Sequence, residues 1–183
     1  MPIIKKYRTS KFVLAVLALT LFVAGGCGYH VAGKGGNSFF TGIHSMAIPV
    51  FTNQTRRADV ESTITNAIVD EFVNAVDIRS VASADVVLEG IVVNYSLNTV
   101  SYTGRDVANE YRLSVVLSLR LVRRGGEGQK DEVLWEDARL TDYEDFIVSS
   151  SDVAATRDAE EVAFKKLSKD MARLVREYMI EGF

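Results

Sequence analysis

The apolar positions of this chain change period several times, and each change marks an element. Ser45 to Phe51 is a short apolar run closed by the turn residues Thr52, Asn53, Gln54 and Thr55. Its length suits a strand, and Pro49, which has no N–H to donate, favours an edge or terminal position. Val60, Ile64, Ile68 and Phe72 then recur every four residues, with Ala67 and Val76 beside the stripe and Glu61, Asp70 and Glu71 facing away. That spacing predicts a helix packed on a core, with Asp59 in position to cap it.

The next segments have strand periods. Asp85 to Leu97 is rich in β-branched residues and too continuous to show which face is buried. Tyr111, Leu113, Val115, Leu117, Leu119 and Leu121 alternate with residues such as Arg112, Ser114, Ser118 and Arg120. This predicts an antiparallel strand with one face on the core and the other wet or against a partner. After the polar hairpin Arg123 to Asp131, Val133 to Tyr143 returns as a third strand, with Trp135 and Tyr143 on one parity. Asp152 is placed to cap a last helix whose buried stripe reads Phe164, Leu167, Met171, Leu174 and Tyr178. Glu161–Lys165 and Lys166–Asp170 lie i,i+4 on its outside and contribute ~0.3 kcal/mol each.

The order is β-α-β-β-β-α. Two helices covering one face of a four-stranded mixed sheet bury both stripes with short connections, so the predicted fold is α+β, a two-layer α/β sandwich. The first crossover is expected to be right-handed if its strands are parallel.

The N-terminus follows a different logic. Lys5, Lys6, Arg8 and Lys11 precede thirteen residues, Phe12 to Ala24, that are apolar except for Thr20. As a helix this run reaches about 20 Å, short of the roughly 30 Å hydrocarbon core. It reads as a signal peptide and not as a permanent span. Ala24-Gly25-Gly26-Cys27 resembles the bacterial lipobox, although Ala24 stands where leucine is commoner. The resemblance implies cleavage before Cys27, the only cysteine in the chain, and acylation of its thiol and new amino terminus, palmitate among the acyl groups. Buried methylenes contribute about 0.8 kcal/mol each, so several acyl chains anchor stably where one does not. Gly28 is not the aspartate associated with inner-membrane retention, which points to the outer membrane. The expected organisation is a signal peptide over 1–26, an acylated cysteine and flexible tether over 27–42, and the sandwich domain over 43–183.

Removing the leader changes the charge. Without its four basic residues, 17 of the 21 Lys and Arg remain against 24 Asp and Glu, and the formal charge moves from −3 to −7. An acidic domain offers nucleic acid no footprint, and an anionic ligand needs a local basic cluster.

Catalysis needs a base poised near neutrality with a nucleophile or metal in reach. The chain has two histidines: His30, three residues from the anchor, and His44, at the edge of the first strand. No G-x-S-x-G, H-E-x-x-H or paired-cysteine spacing occurs, and Gly33-Lys34-Gly35-Gly36 lacks the preceding strand and spacing of a phosphate loop. The expectation is a non-enzyme with no catalytic residue, no metal and no cofactor beyond the covalent lipid. What remains is basic: Arg105 in the turn Ser101 to Asn109, Arg157 near the start of the last helix, and Arg123, Arg124 and Lys130 beside Glu127, Asp131 and Glu132. Each is first an ordinary solvated charge, and Asp158 could simply pair with Arg157.

Several local patterns, in this order and spacing, resemble the LptE family of lipopolysaccharide-assembly lipoproteins. They are Cys27-Gly28-Tyr29-His30, Ile48-Pro49-Val50-Phe51-Thr52-Asn53, Glu61 to Phe72, Leu88-Glu89-Gly90 and Glu110-Tyr111. The resemblance implies an α/β sandwich of four strands and two helices, anchored in the outer membrane and facing the periplasm or a barrel lumen. It implies a partner, the LptD β-barrel, which such proteins plug while lipopolysaccharide passes to the outer leaflet. It also implies lipopolysaccharide binding through basic residues, matched in local context by Arg105 and Arg157. The loop around Arg105 departs from the family pattern by about a residue. A different class of function stays open: a periplasm-facing lipoprotein that activates a peptidoglycan synthase or serves as adaptor to a secretion pore.

Overall fold

The computed structural model describes residues 42–102, 108–126, 128–148 and 152–181. Its elements are β1 (Ser45–Ala47), β2 (Thr52–Asn53), α1 (Val60–Phe72), β3 (Asp77–Ile78), β4 (Val86–Tyr102), β5 (Ala108–Arg123), β6 (Glu132–Ile147) and α2 (Val153–Glu181). They form one six-stranded sheet in the order β3-β1-β4-β5-β6, with β2 also on β4. The short strands run parallel to their neighbours and the three long ones are antiparallel.

The sheet is therefore mixed, as the patterning requires, but it holds six strands and not four. Two causes account for the difference. Proline cannot donate to a ladder, and the chain leaves β4 around Pro49; the strand expected over Ser45 to Phe51 therefore shortens to β1, and Thr52–Asn53, expected as a turn, return to β4 as β2. The other is β3, two residues long and bonded to β1 through Ser45↔Asp77 and Met46↔Ile78, too short for any period to reveal.

The split also changes parity. Met46 pairs with Val86 and Thr52 with Ile91, so the first segment spends six residues where β4 spends five. The extra residue turns Phe51 inward and leaves Val50 outward, 66% exposed. Phe51 then lies over Gly90, where a Cβ would stand 2.6 Å from its ring, so only glycine leaves the ring room.

Both helices cover the same sheet face. The α1 stripe Val60, Ile64, Ile68 and Phe72 joins one core with Leu88, Val92, the inward residues Leu113 to Leu121 of β5, and Leu140. Asp59 stands at the N-cap of α1 with φ 65° and makes no side-chain capping bond; Asp152 does cap α2, accepting from the Ala155 N–H at 2.9 Å.

The α2 stripe differs from its expected line. Phe164, Leu167 and Met171 are buried, yet Tyr178 is exposed, and Ser168, Ala172, Val175 and Met179 complete the buried face. A strict 3-4 spacing drifts against the 3.6-residue turn of a straight helix. α1 also packs along α2, with Arg176 Nη1 2.8 Å from Glu71 Oε1, so the buried face turns toward it.

Two bulges re-aim the long strands. On β4 an extra residue at Val93 puts Tyr95 and Leu97 on the core side after Leu88 and Val92. On β6 three residues span Leu117↔Leu140 to Leu119↔Asp137, where β5 uses two. Trp135 consequently faces the core while Tyr143 faces out, and their expected common parity does not occur.

Candidate functional site

Three of the patterns that carried the family resemblance, Ile48 to Asn53, Glu61 to Phe72 and Leu88 to Gly90, meet at one junction. The Phe51 N–H donates to Thr65 Oγ1 at 3.1 Å, and Thr65 Oγ1 donates to the Glu61 carbonyl at 2.6 Å. Asn53 Nδ2 donates to Glu61 Oε2 at 2.7 Å and to the Arg57 carbonyl at 2.8 Å, while its Oδ1 accepts from the Thr55 N–H. These groups seat the start of α1 on β2 and β4. A buried N–H without an acceptor costs about 1–3 kcal/mol, which is why Thr65 sits opposite the Phe51 N–H. The motif builds the frame, not a reacting centre.

At the start of β1, Asp85 accepts from the His44 and Ser45 N–H groups, both at 2.9 Å, and its own N–H donates to Ser45 Oγ at 3.0 Å. Those backbone donors hold the carboxyl of Asp85 below its ordinary range. The histidine once weighed for chemistry thus contributes its backbone to strand closure.

The candidate binding surface lies at the far end of the long strands. Tyr102 pairs with Ala108 where β4 and β5 end, and Glu110 pairs with Ile147 where β6 ends. α2 begins six residues later, at Val153. The strand ends flanking Arg105 and the helix start that carries Arg157 therefore share one end of the sheet. Arg105 itself, like Cys27 and the tether, lies outside the described residues. At this end apolar side chains stand in solvent: Tyr102 is 62% exposed, Ile147 72% and Val153 80%.

Arg157 is exposed and pairs with no described residue, Asp158 included. Three residues on, Glu160 Oε1 accepts from the Tyr95 hydroxyl at 2.7 Å and lies 3.2 Å from Arg57 Nη1. The Arg57 guanidinium sits 5.7 Å from the Tyr95 ring centroid, and the ring meets Phe164 edge-on at 5.5 Å. Burial first, and then the Glu160 acceptor, push the Tyr95 phenol well above its usual range, so it remains a neutral donor. Sequence reading missed this cluster, because only the bulge at Val93 reveals that Tyr95 faces the helices.

Several other described cations are paired. Arg123 pairs with Glu132 at 3.0 Å, and Lys165 with Glu161 at 2.7 Å. The sheet face away from the helices carries paired charges among apolar positions such as Ile91 and Val116. Arg112 grips Asp145 through Nε–Oδ1 at 2.8 Å and Nη2–Oδ2 at 2.7 Å, with its guanidinium 4.0 Å from the Tyr143 ring centroid. Arg120 Nη2 meets Glu89 Oε2 at 2.8 Å, and Ser96 lies across from Ser114. Surface charges paired in this way suit a wet protein contact better than an apolar one. Among the described residues, no helix is long and apolar enough to cross a membrane.

Comparison with known proteins follows this geometry. The model of the lipopolysaccharide-assembly family LptE matches residues 43–179. No curated protein matches the chain in sequence. Among solved structures, the rare lipoprotein B of Shewanella oneidensis is similar in fold at 15% identity and a TM-score of 0.52, covering 76% of this chain and 96% of that one. A minor lipoprotein of Acinetobacter baumannii is 13% identical with a TM-score of 0.45, covering 76% of this chain and 92% of that one. The hypothetical protein CT253 of Chlamydia trachomatis is 11% identical with a TM-score of 0.49, covering 77% and 99% respectively.

Proposed function

The chain belongs to the LptE lipopolysaccharide-assembly family, and from that premise we propose that it is an outer-membrane lipoprotein assisting an LptD-like β-barrel. In this reading Cys27 carries the acyl anchor, the sandwich occupies the barrel lumen or its periplasmic mouth, and the protein performs no chemistry of its own. Arg105 and Arg157 bind lipopolysaccharide at the far end of the long strands. The observation that carries the reading is the family match across 43–179, nearly the whole described domain.

Three features support the finer parts. Arg112 and Arg120 on the face formed by β4, β5 and β6 are both paired, so a partner can cover them without stranding a positive charge. Arg157 is exposed and pairs with no described residue, and its guanidinium fork matches a phosphate in two-pronged fashion. Exposed Tyr102, Ile147 and Val153 give the same end an apolar rim that suits acyl chains.

Conditional depletion in the native cell tests the role. The expected result is lipopolysaccharide failing to reach the cell surface while other outer-membrane lipoproteins sort normally. Unaltered surface lipopolysaccharide would overturn the proposal.

A further inference from the structure

Arg157 stands on a part of α2 with little support. Asp152 to Ala155, Arg157 and Asp158 are all exposed, and the first apolar contact comes with Ala159, half-buried against the core. Among the described residues, Glu160 is the first charged side chain of α2 held by another part of the chain. Its side chain is only 13% exposed and is held from two directions. Tyr95 comes from β4, and Arg57 from the segment between β2 and α1.

The consequence follows from helix geometry. Residues i and i+3 are neighbours on a helix surface, so fixing Glu160 fixes the direction in which Arg157 leaves the helix. Helix ends open locally at small cost unless a tertiary contact ties them down. We propose that Glu160, gripped by Tyr95 and Arg57, is a positioning residue for Arg157: it moors the first turns of α2 on the sheet and so aims the guanidinium at an anionic ligand. The binding half of this inference rests on the lipopolysaccharide reading of Arg157; the mooring half does not.

The junction at Asn53 extends the mooring. Asn53 holds the Arg57 carbonyl at 2.8 Å and the Glu61 carboxylate at 2.7 Å. The segment that delivers Arg57 is thereby tied to α1, and the grip on Glu160 is anchored in the frame of the domain.

The test uses the full acylated chain in detergent, purified lipopolysaccharide as the probe, and amide hydrogen exchange beside the binding titration. Tyr95→Phe removes one hydroxyl and keeps the ring on Phe164, so the global melting point changes little. Exchange at amides 153–159 should accelerate, and the Kd for lipopolysaccharide should rise roughly fivefold, the size of an ordinary coupling between neighbouring groups. In an Arg157→Gln background, adding Tyr95→Phe should cost nothing further. Glu160→Gln, which keeps an acceptor for the Tyr95 hydroxyl, should protect amides 153–159 better than Glu160→Ala. Unchanged exchange in Tyr95→Phe, or an equal affinity loss with and without Arg157, overturns the proposal. If Arg157→Gln alone leaves the Kd unchanged, the binding role of Arg157 falls, and exchange still decides the mooring.

Discussion

Phe51 and Gly90 share a space that only one of them can fill: the ring of the first stands 2.6 Å from where a Cβ of the second would be. Gly90→Ala should therefore destabilise the domain by about 1–3 kcal/mol, the usual cost of overpacking a filled core. Chemical denaturation measures it. Adding Phe51→Leu should recover part of the loss, because the smaller side chain makes room. A Gly90→Ala protein as stable as its parent would mean that the ring does not sit there.

The acceptor for the Phe51 N–H is tested separately. Thr65→Val preserves shape and strands that buried N–H, at an expected cost of about 1–3 kcal/mol. Thr65→Ser keeps the hydroxyl and should cost less. Equal losses for the two variants would show that the methyl group matters and the hydrogen bond does not.

Asp85 sets an acid limit on stability. Its carboxyl titrates lower in the fold than the value of about 3.9 expected unfolded, so folding favours the charged form. This contribution is complete above the unfolded value and fades as pH falls through the folded one. Asp145, lowered by the Arg112 hydrogen bonds, adds to the same window. Melting points followed downward from pH 5 should fall steeply below about pH 4, and Asp85→Asn should flatten part of that fall. A parallel curve for the variant would remove Asp85 from the account.

The anionic ligand is tested by charge reversal. Arg105→Asp with Arg157→Asp should weaken binding of purified lipopolysaccharide by about tenfold or more, since one charge-assisted hydrogen bond is worth ~1.5–3 kcal/mol. Binding to the barrel partner should survive, because that contact is assigned to the sheet face away from the helices. Full lipopolysaccharide affinity in the double variant would place the ligand elsewhere.

How much was legible in the sequence depended on period. The α1 stripe and the alternation of Leu113 to Leu121 read correctly because nothing interrupts them. Errors arose where one extra residue shifts parity. The bulge between Asp137 and Leu140 sends Tyr143 outward while Trp135 faces the core, against the common face expected of them. A hydropathy pattern has no sign for a bulge, since the same residues follow each other with or without it. β3 is two residues long and has no period at all. Arg157 was legible as a basic residue near the start of the last helix, while Tyr95, Glu160 and Arg57 come from three separate segments and meet only after folding.

Affinity purification of the acylated protein from detergent-solubilised outer membranes tests the central claim most directly, with the captured partner identified by mass. A large LptD-like β-barrel should come down in near-equal amount, and should be lost when charges are reversed at Arg112 and Arg120 on the open sheet face. Recovery of a peptidoglycan synthase or a secretin in its place, or of no barrel at all, would contradict the account.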